Sequence, residues 1–168
     1  MEIRHMQIRH MQIRHDDLTG EQIIGLLREH LDDMRAITPP ESVHALDLTG
    51  LRVPEVTFWS VWEGDTLVGC GALKALDETA GEVKSMRTIE AYRGRGVGAR
   101  VLEHILGEAA RRGYVRLYLE TGARAEFAPA RALYEKYGFV YRGPFGDYTG
   151  DPNSVFMVEQ IGGDADLA

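Results

Sequence analysis

The 168-residue chain contains one cysteine, Cys70, so no disulfide can close within it. No apolar run approaches the roughly 20 residues that a membrane-spanning helix needs, and the polar N-terminus has no secretory-signal pattern. A cytoplasmic protein without a membrane partner is therefore expected. Positive charge is in short supply: 19 Lys and Arg against 26 Asp and Glu leave a formal net charge of −7, the wrong sign for nucleic acid as the main partner. Two phosphate-binding signatures are missing as well. No Lys-Ser/Thr pair follows Gly98, as the G-x-x-x-x-G-K-[ST] loop requires, and Gly94-Arg95-Gly96-Val97-Gly98 has the wrong spacing for G-x-G-x-x-G. Without an Mg²⁺-binding carboxylate near those glycines, a nucleotide-binding domain is disfavoured. His5, His10 and His15 recur every five residues without cysteines or a carboxylate cluster beside them, and no metal is expected.

The remainder reads as one globular domain. An apolar fraction of 44% and a charged fraction of 27% are ordinary, and a chain of this length buries about 70% of its unfolded surface. The first fifteen residues repeat one pentad three times, from Met1-Glu2-Ile3-Arg4-His5 to Met11-Gln12-Ile13-Arg14-His15. Five fits neither helix nor strand periodicity, so residues 1–10 read as a duplicated or extraneous segment. The last copy then opens the domain, residues 11–162, as its first strand. Thr19-Gly20-Glu21-Gln22 reads as a capping box, opening a helix that buries Ile23, Ile24, Leu27, Leu31 and Met34. Thr38-Pro39-Pro40-Glu41 starts a second, short helix reaching about Asp47, followed by a loop from Leu48 to Pro54. Val56 to Glu63, Leu67 to Leu76 and Glu82 to Ile89 read as three antiparallel strands on short turns. Gly69 and Gly71 weaken the middle strand but suit close approach of a neighbour. Cys70, between them, reads as a small core residue rather than an acyl-enzyme nucleophile.

Three glycines two residues apart, Gly94, Gly96 and Gly98, separate the third of those strands from an amphipathic helix. Its face carries Val97, Val101, Leu102, Ile105, Leu106 and Ala109, and it ends at Arg111-Arg112-Gly113. Glycine admits positive φ and close ligand approach. Unpaired N–H groups at a helix start, with the macrodipole behind them, favour an anion. Arg93 and Arg95 add charge of the right sign for a phosphate or pyrophosphate. Tyr114–Thr121 then reads as a strand, Phe127–Tyr137 as a helix, and Phe139–Arg142 and Ser154–Gln160 as the last strands. The tail, residues 163–168, is expected to fray. The order β, α, α, β-β-β, α, β, α, β, β gives a mixed sheet, α/β or α+β by class, with helices on both faces.

Arg93, Gly96 and Gly98 form Arg-x-x-Gly-x-Gly, which resembles the acyl-CoA pyrophosphate loop of the GNAT superfamily of N-acetyltransferases, Gln/Arg-x-x-Gly-x-Gly/Ala. A second block, Ala130-Arg131-Ala132-Leu133-Tyr134-Glu135-Lys136-Tyr137-Gly138-Phe139, looks like that family's A-x-x-L-Y-x-x-x-G-F segment. The resemblance spans roughly residues 11 to 160. It implies a GNAT-like, mostly antiparallel sheet whose fourth and fifth strands part to admit the pantetheine arm of acetyl-CoA. By the same resemblance the backbone of Met86, Arg87 and Thr88 pairs with pantetheine and offers a donor to the thioester oxygen. The loop Arg93, Gly94, Arg95, Gly96, Val97 and Gly98 holds the pyrophosphate, and Ala130 completes the cofactor contacts. Phe127 and Ala128-Pro129 depart from the pattern, because many members carry an asparagine at Phe127 that contacts pantetheine.

The resemblance assigns two catalytic roles. Glu82 stands before the loop where family members often carry a glutamate base, with Glu120 the second candidate on the acceptor side. Tyr134 matches the tyrosine that protonates the CoA sulfur. The plain alternatives are a strand-end carboxylate paired with Lys84 or Arg87, and a core aromatic. Lys84, Arg87, Arg124 and Arg142 are candidates to hold a substrate carboxylate, and Asp147 and Tyr148 lie on a late loop that often covers the acceptor. His44 and Glu41 are weaker acceptor-side candidates. The implied activity is acetyl transfer from acetyl-CoA to a primary amine of a small molecule, by direct attack through a tetrahedral intermediate, in a monomer or homodimer. A non-catalytic acyl-CoA sensor and a protein N-terminal, lysine or O-acyl acceptor remain as alternatives.

Overall fold

A computed structural model describes residues 10–162; the expected duplicate, residues 1–10, falls outside the described residues in all but its last position, and the expected frayed tail, residues 163–168, falls outside them entirely. Seven strands form one sheet: β1 Gln12–His15, β2 Val56–Glu63, β3 Thr66–Ala75, β4 Ala80–Thr88, β5 Arg116–Gly122, β6 Val140–Arg142 and β7 Ser154–Gln160. Their order is β1-β2-β3-β4-β5-β7-β6. Every neighbouring pair is antiparallel except β4 and β5. The helices are α1 Glu21–Ile37, α2 Leu48–Leu51, α3 Val97–Arg111 and α4 Ala128–Lys136. The mixed, mostly antiparallel sheet expected from the sequence is the one observed.

Each face of the sheet has its own core. On one face α3 inserts Val97, Val101, Leu102, Ile105 and Ala109 against Val61, Val68, Leu73, Val83, Leu117 and Leu119, with Tyr134, Phe139 and Met157 completing the layer. On the other, Ile23, Leu26 and Leu27 of α1 pack with Leu51, Phe58, Leu67, Cys70 and Ala72. Strand alternation divides β2 and β3 between the two layers. The expected close approach occurs where α3 crosses β3. A Cβ on Gly69 would stand 2.7 Å from Val97 Cγ1, and one on Gly71 would stand 2.5 Å from Val101 Cγ1.

Two local expectations fail for identifiable reasons. Thr19 does not cap α1: its N–H and Oγ1 both donate to Asp17 Oδ1, at 3.1 and 2.6 Å. Gly20 is the N-cap, without a side-chain bond. Gln22 instead ties α1 to the β2–β3 hairpin, donating to the Asp65 carbonyl at 3.1 Å and accepting from the Leu67 N–H at 3.2 Å. The second helix is only a 3₁₀ turn, Pro40–Ser42. Helical structure resumes in α2, immediately after the end of the predicted segment, because Asp47 Oδ1 accepts from the Gly50 N–H at 2.9 Å and so starts a helix in what the sequence suggested was loop. On α1 itself Ile23 and Leu27 are buried as expected and Leu26 joins them, whereas Ile24, Leu31 and Met34 are only half-buried.

Candidate active site

Strands β4 and β5 pair for three residues, Ala80 with Arg116, Gly81 with Leu117 and Glu82 with Tyr118, and for no more. Beyond Glu82 they part. A bulge in β4 drives the parting: the β3–β4 register slips between Cys70 and Ala72, and Ser85 adopts φ +56°. A bulge turns the strand and increases its twist. The second half of β4 thereby keeps β3 as its neighbour on one edge, while the other edge faces an opening of about 550 Å³.

One cleft runs through that opening. Met86, Arg87 and Thr88 of β4, and Glu120, Thr121 and Gly122 of β5, line its two sides. Arg93 and Gly98 lie at one end, and Phe127, Pro129, Ala130, Leu133 and Tyr134 form an apolar wall from α4 and the turn before it. His30, Asp33 and Met34 of α1, with His44, close the opposite side. The glycine turn adopts the positive φ that glycine admits: Gly94 and Gly96 have φ of +76° and +84°, and Gly96 N-caps α3 with no side chain bonded to the helix start. The first turn of a helix has N–H groups without intrahelical partners, so the turn presents donors where Arg93 adds charge. Val97 points its side chain into the core, 1% exposed, and Arg95 lies over the Tyr92 ring at 4.8 Å. Neither side chain lines the cleft. Phe127 covers Gly122, where a Cβ would meet its ring at 2.1 Å; the position of the family asparagine is thus used for packing.

The polar residues at the centre form a connected set. Glu82 is 3% exposed. Its Oε2 accepts from Tyr148 OH at 2.6 Å and from Lys84 Nζ at 3.1 Å, and Lys84 Nζ also donates to Tyr148 OH at 3.0 Å. Tyr148 is held in turn by edge contacts to His44, at 5.1 Å, and to Phe145, at 5.0 Å. Burial and then the Glu82 charge push the Tyr148 phenol far above its usual range. Glu120 stands across the opening, its carboxyl raised by burial and by Glu82 against the pull of Ser154, His44 and Lys84. Tyr134 is 6% exposed, edge-on to Phe139 at 5.8 Å; burial, and next the Glu120 charge, hold its phenol protonated well above the usual range.

Of the residues singled out in the sequence, Glu82, Lys84, Met86, Arg87, Thr88, Arg93, Gly98, Glu120, Ala130, Tyr134 and His44 meet at this cleft, and Tyr148 joins through Glu82. Asp147 and Glu41 are exposed. Arg124 pairs with Glu126 at 3.6 Å, and Arg142 donates to the carbonyls of Gly143 and Pro144; neither arginine lines the cleft. Cys70 Sγ donates to the Ser85 carbonyl at 3.3 Å, and burial pushes the thiol up to about 12, so it is no nucleophile. His30 and Asp33 escaped the sequence reading. The stripe Ile23, Leu26, Leu27 of α1 continues through positions 30, 33 and 34, and polar residues on the continuation of an apolar stripe were the available signal. Among the described residues no three His, Cys, Asp or Glu side chains cluster as a metal site.

A sheet that opens after a single parallel pairing, with an uncapped glycine turn at one mouth and a buried glutamate and tyrosine inside, defines an acyltransferase fold. The chain belongs to the acetyltransferase (GNAT) family, whose model matches residues 23–139. It is 59% identical over 146 residues to an uncharacterized N-acetyltransferase of Bacillus subtilis, YsnE, covering 87% of this chain and 97% of that one. It is 44% identical over 142 residues to an IAA acetyltransferase of Azospirillum brasilense, covering 83% and 89%. A crystal structure of an acyl-CoA N-acyltransferase from Klebsiella pneumoniae superposes with a TM-score of 0.73 at 27% identity, covering 90% of this chain and 97% of that one.

Proposed function

We propose that this acetyltransferase moves an acetyl group from acetyl-CoA to a primary amine of a small molecule by direct attack on the thioester. The parting of β4 and β5 carries the reading: it puts unpaired strand edge, the glycine turn and the Glu82–Tyr134 pair on one cleft. The residues suit the co-substrate. The turn and first helical N–H groups of Gly96, Val97 and Gly98, with Arg93, would hold the pyrophosphate. The β5-facing edge of Met86, Arg87 and Thr88 would pair with the pantetheine amides, against the apolar wall of Ala130 and Leu133. A backbone donor at that edge would meet the charge that develops on the thioester oxygen, a contribution of about 3–4 kcal/mol.

Glu82 takes the proton of the incoming ammonium, directly or through water. Its Oε2 is engaged by Lys84 and Tyr148, while Oε1 has no hydrogen-bond partner among the described residues. The C–N bond then forms, the C–S bond breaks as Tyr134 gives its proton to the departing sulfur, and the second proton that nitrogen sheds as the amide forms restores the Tyr134 phenol, directly or through water. The test has two steps. Acetyl-CoA at 100 times its Kd should stabilise the protein by about 2.7 kcal/mol, and Gly98→Glu, which puts a carboxylate at the helix start, should abolish the shift. Amines are then screened for free-thiol release. No shift in the native chain sinks the donor assignment. A shift with no thiol release from any amine would leave an acyl-CoA-binding module instead of an enzyme.

A further inference from the structure

The α1–β4 wall of the cleft holds polar groups that the transfer step leaves unused. Arg87 is the centre of this wall. Its side chain is 9% exposed, and Nη2 donates to Glu29 Oε1 at 3.2 Å and to Asp33 Oδ2. Its Nε is buried without a hydrogen-bond partner, and Nη1 has none among the described residues. The guanidinium fork offers five donors in one plane, so both existing bonds use a single corner of it. Beside it His30 lines the same wall, with Nδ1 buried and also without a partner. Buried polar atoms left unpaired cost free energy, and two adjacent residues in that state on the wall of a cleft point to a ligand.

The charge of that ligand follows from the surroundings. The carboxylates of Glu29 and Asp33 are 66% and 49% exposed, so solvent screens their hold on Arg87. Burial, and next the Arg87 charge, push the His30 imidazole down to about 4, which leaves it neutral at pH 7 and able to donate one N–H. The other candidate cations are committed: Lys84 to Glu82 and Tyr148, Arg124 to Glu126, Arg142 to carbonyls outside the cleft. Arg87 is five residues from Glu82 on the same strand, at most about 17 Å along it, so a single small molecule can reach both.

On the reading of the cleft as an amine-acetylating site, we infer that Arg87, with His30 beside it, receives a carboxylate of the acceptor, and that the acceptor class is an amino acid or similar amine bearing a carboxylate. Arginine suits a carboxylate because its fork matches the two oxygens.

Binding of product analogues to the CoA-loaded protein tests this without requiring turnover. The probes are N-acetylated amino acids and the matching N-acetyl amino amides, which differ only in the charge of one end. Calorimetry should find the acids about 10- to 100-fold tighter than the amides. Arg87→Met should bring the two affinities together. Asp33→Asn, which removes a competing carboxylate from the guanidinium, should tighten the acids while leaving the amides where they were. Equal affinities in the native protein, no detectable binding of the acids, a preference that survives Arg87→Met, or acids unaffected or weakened by Asp33→Asn would each overturn the inference. CoA binding is measured first for every variant. Failure of the native chain to bind CoA refutes the donor reading, a different result from loss of the acid–amide preference.

Discussion

Glu82 and Tyr134 divide the proton traffic between a carboxylate and a phenol, and their surroundings make the division testable. Glu82→Gln keeps the shape and an acceptor oxygen for Tyr148 but cannot take a proton. With an amine substrate, kcat/KM should fall about 10²- to 10⁴-fold, and the loss should shrink as the assay pH rises and the amine deprotonates unaided. A loss that stays constant across pH would remove Glu82 from the base role. Tyr134→Phe removes one oxygen from a buried ring, so the thermal shift with acetyl-CoA should persist while kcat falls about 10²-fold. The sign of its titration matters as well. Burial, with Glu120 adding to it, raises the phenol, so the acid form persists to higher pH than an ordinary tyrosine allows. The kcat profile should therefore show no alkaline decline near 10 that Tyr134→Phe abolishes. Glu120 follows the same rule, and its titration bears on stability at lower pH. A carboxyl raised on folding favours the native state at low pH and costs stability as pH rises through its folded value. Glu120→Gln should thus raise the unfolding temperature at pH 8 more than at pH 4.

At the level of elements, the glycines of β3 show how far a sequence can speak for packing. Gly71 lies under α3 with no room for a side chain: a Cβ would stand 2.5 Å from Val101 Cγ1, 2.8 Å from Met86 Sδ and 3.2 Å from Ile105 Cδ1. Gly71→Val should cost about 1–3 kcal/mol or more through overpacking, read as a lower urea midpoint at unchanged m-value. Because Met86 sits on the cleft side of that contact, acetyl-CoA binding should weaken with it. The element pattern was legible because β2 and β3 are apolar runs bounded by turns and buried on both faces, while α1 and α3 bury one stripe of period 3.6. What failed was local and had competitors two or three residues away. Thr19 matched a capping pattern, but Asp17 was nearer. Pro39-Pro40 promised a helix start, but no side chain caps the turn there, and the cap that does form is at Asp47. The bulge at Ser85, on which the opening depends, left no trace in composition, because its positive φ falls on a residue that is not glycine.

For the whole molecule, the decisive property is convergence. Motif residues near each other in sequence, such as Arg93 to Gly98, identify themselves. Tyr148 reaches Glu82 across 66 residues, and Arg87 reaches Asp33 across 54; no spacing rule announces either, since each depends on α1 and the β6–β7 connection folding over the same face of the sheet. The cost of bringing those elements together is measurable as proton linkage. His30 lies half-buried at the seam between α1 and β4, with its Nδ1 covered, and its imidazole falls from 6.5 to about 4 on folding, through desolvation first and the Arg87 charge second. A depressed histidine contributes stability above its unfolded value and loses it as pH falls through its folded one. The window is therefore pH 6.5 to about 4. Its full depth is about 3 kcal/mol at 1.36 kcal/mol per pKa unit. The native chain should lose that much stability across the window, beyond what its carboxylates contribute. His30→Gln, which cannot charge, should flatten the urea-midpoint profile between pH 6.5 and 4 while leaving the slope below 4 in place. Equal slopes for the two proteins would mean that the seam between α1 and β4 admits water freely, and that the imidazole pays no burial cost there.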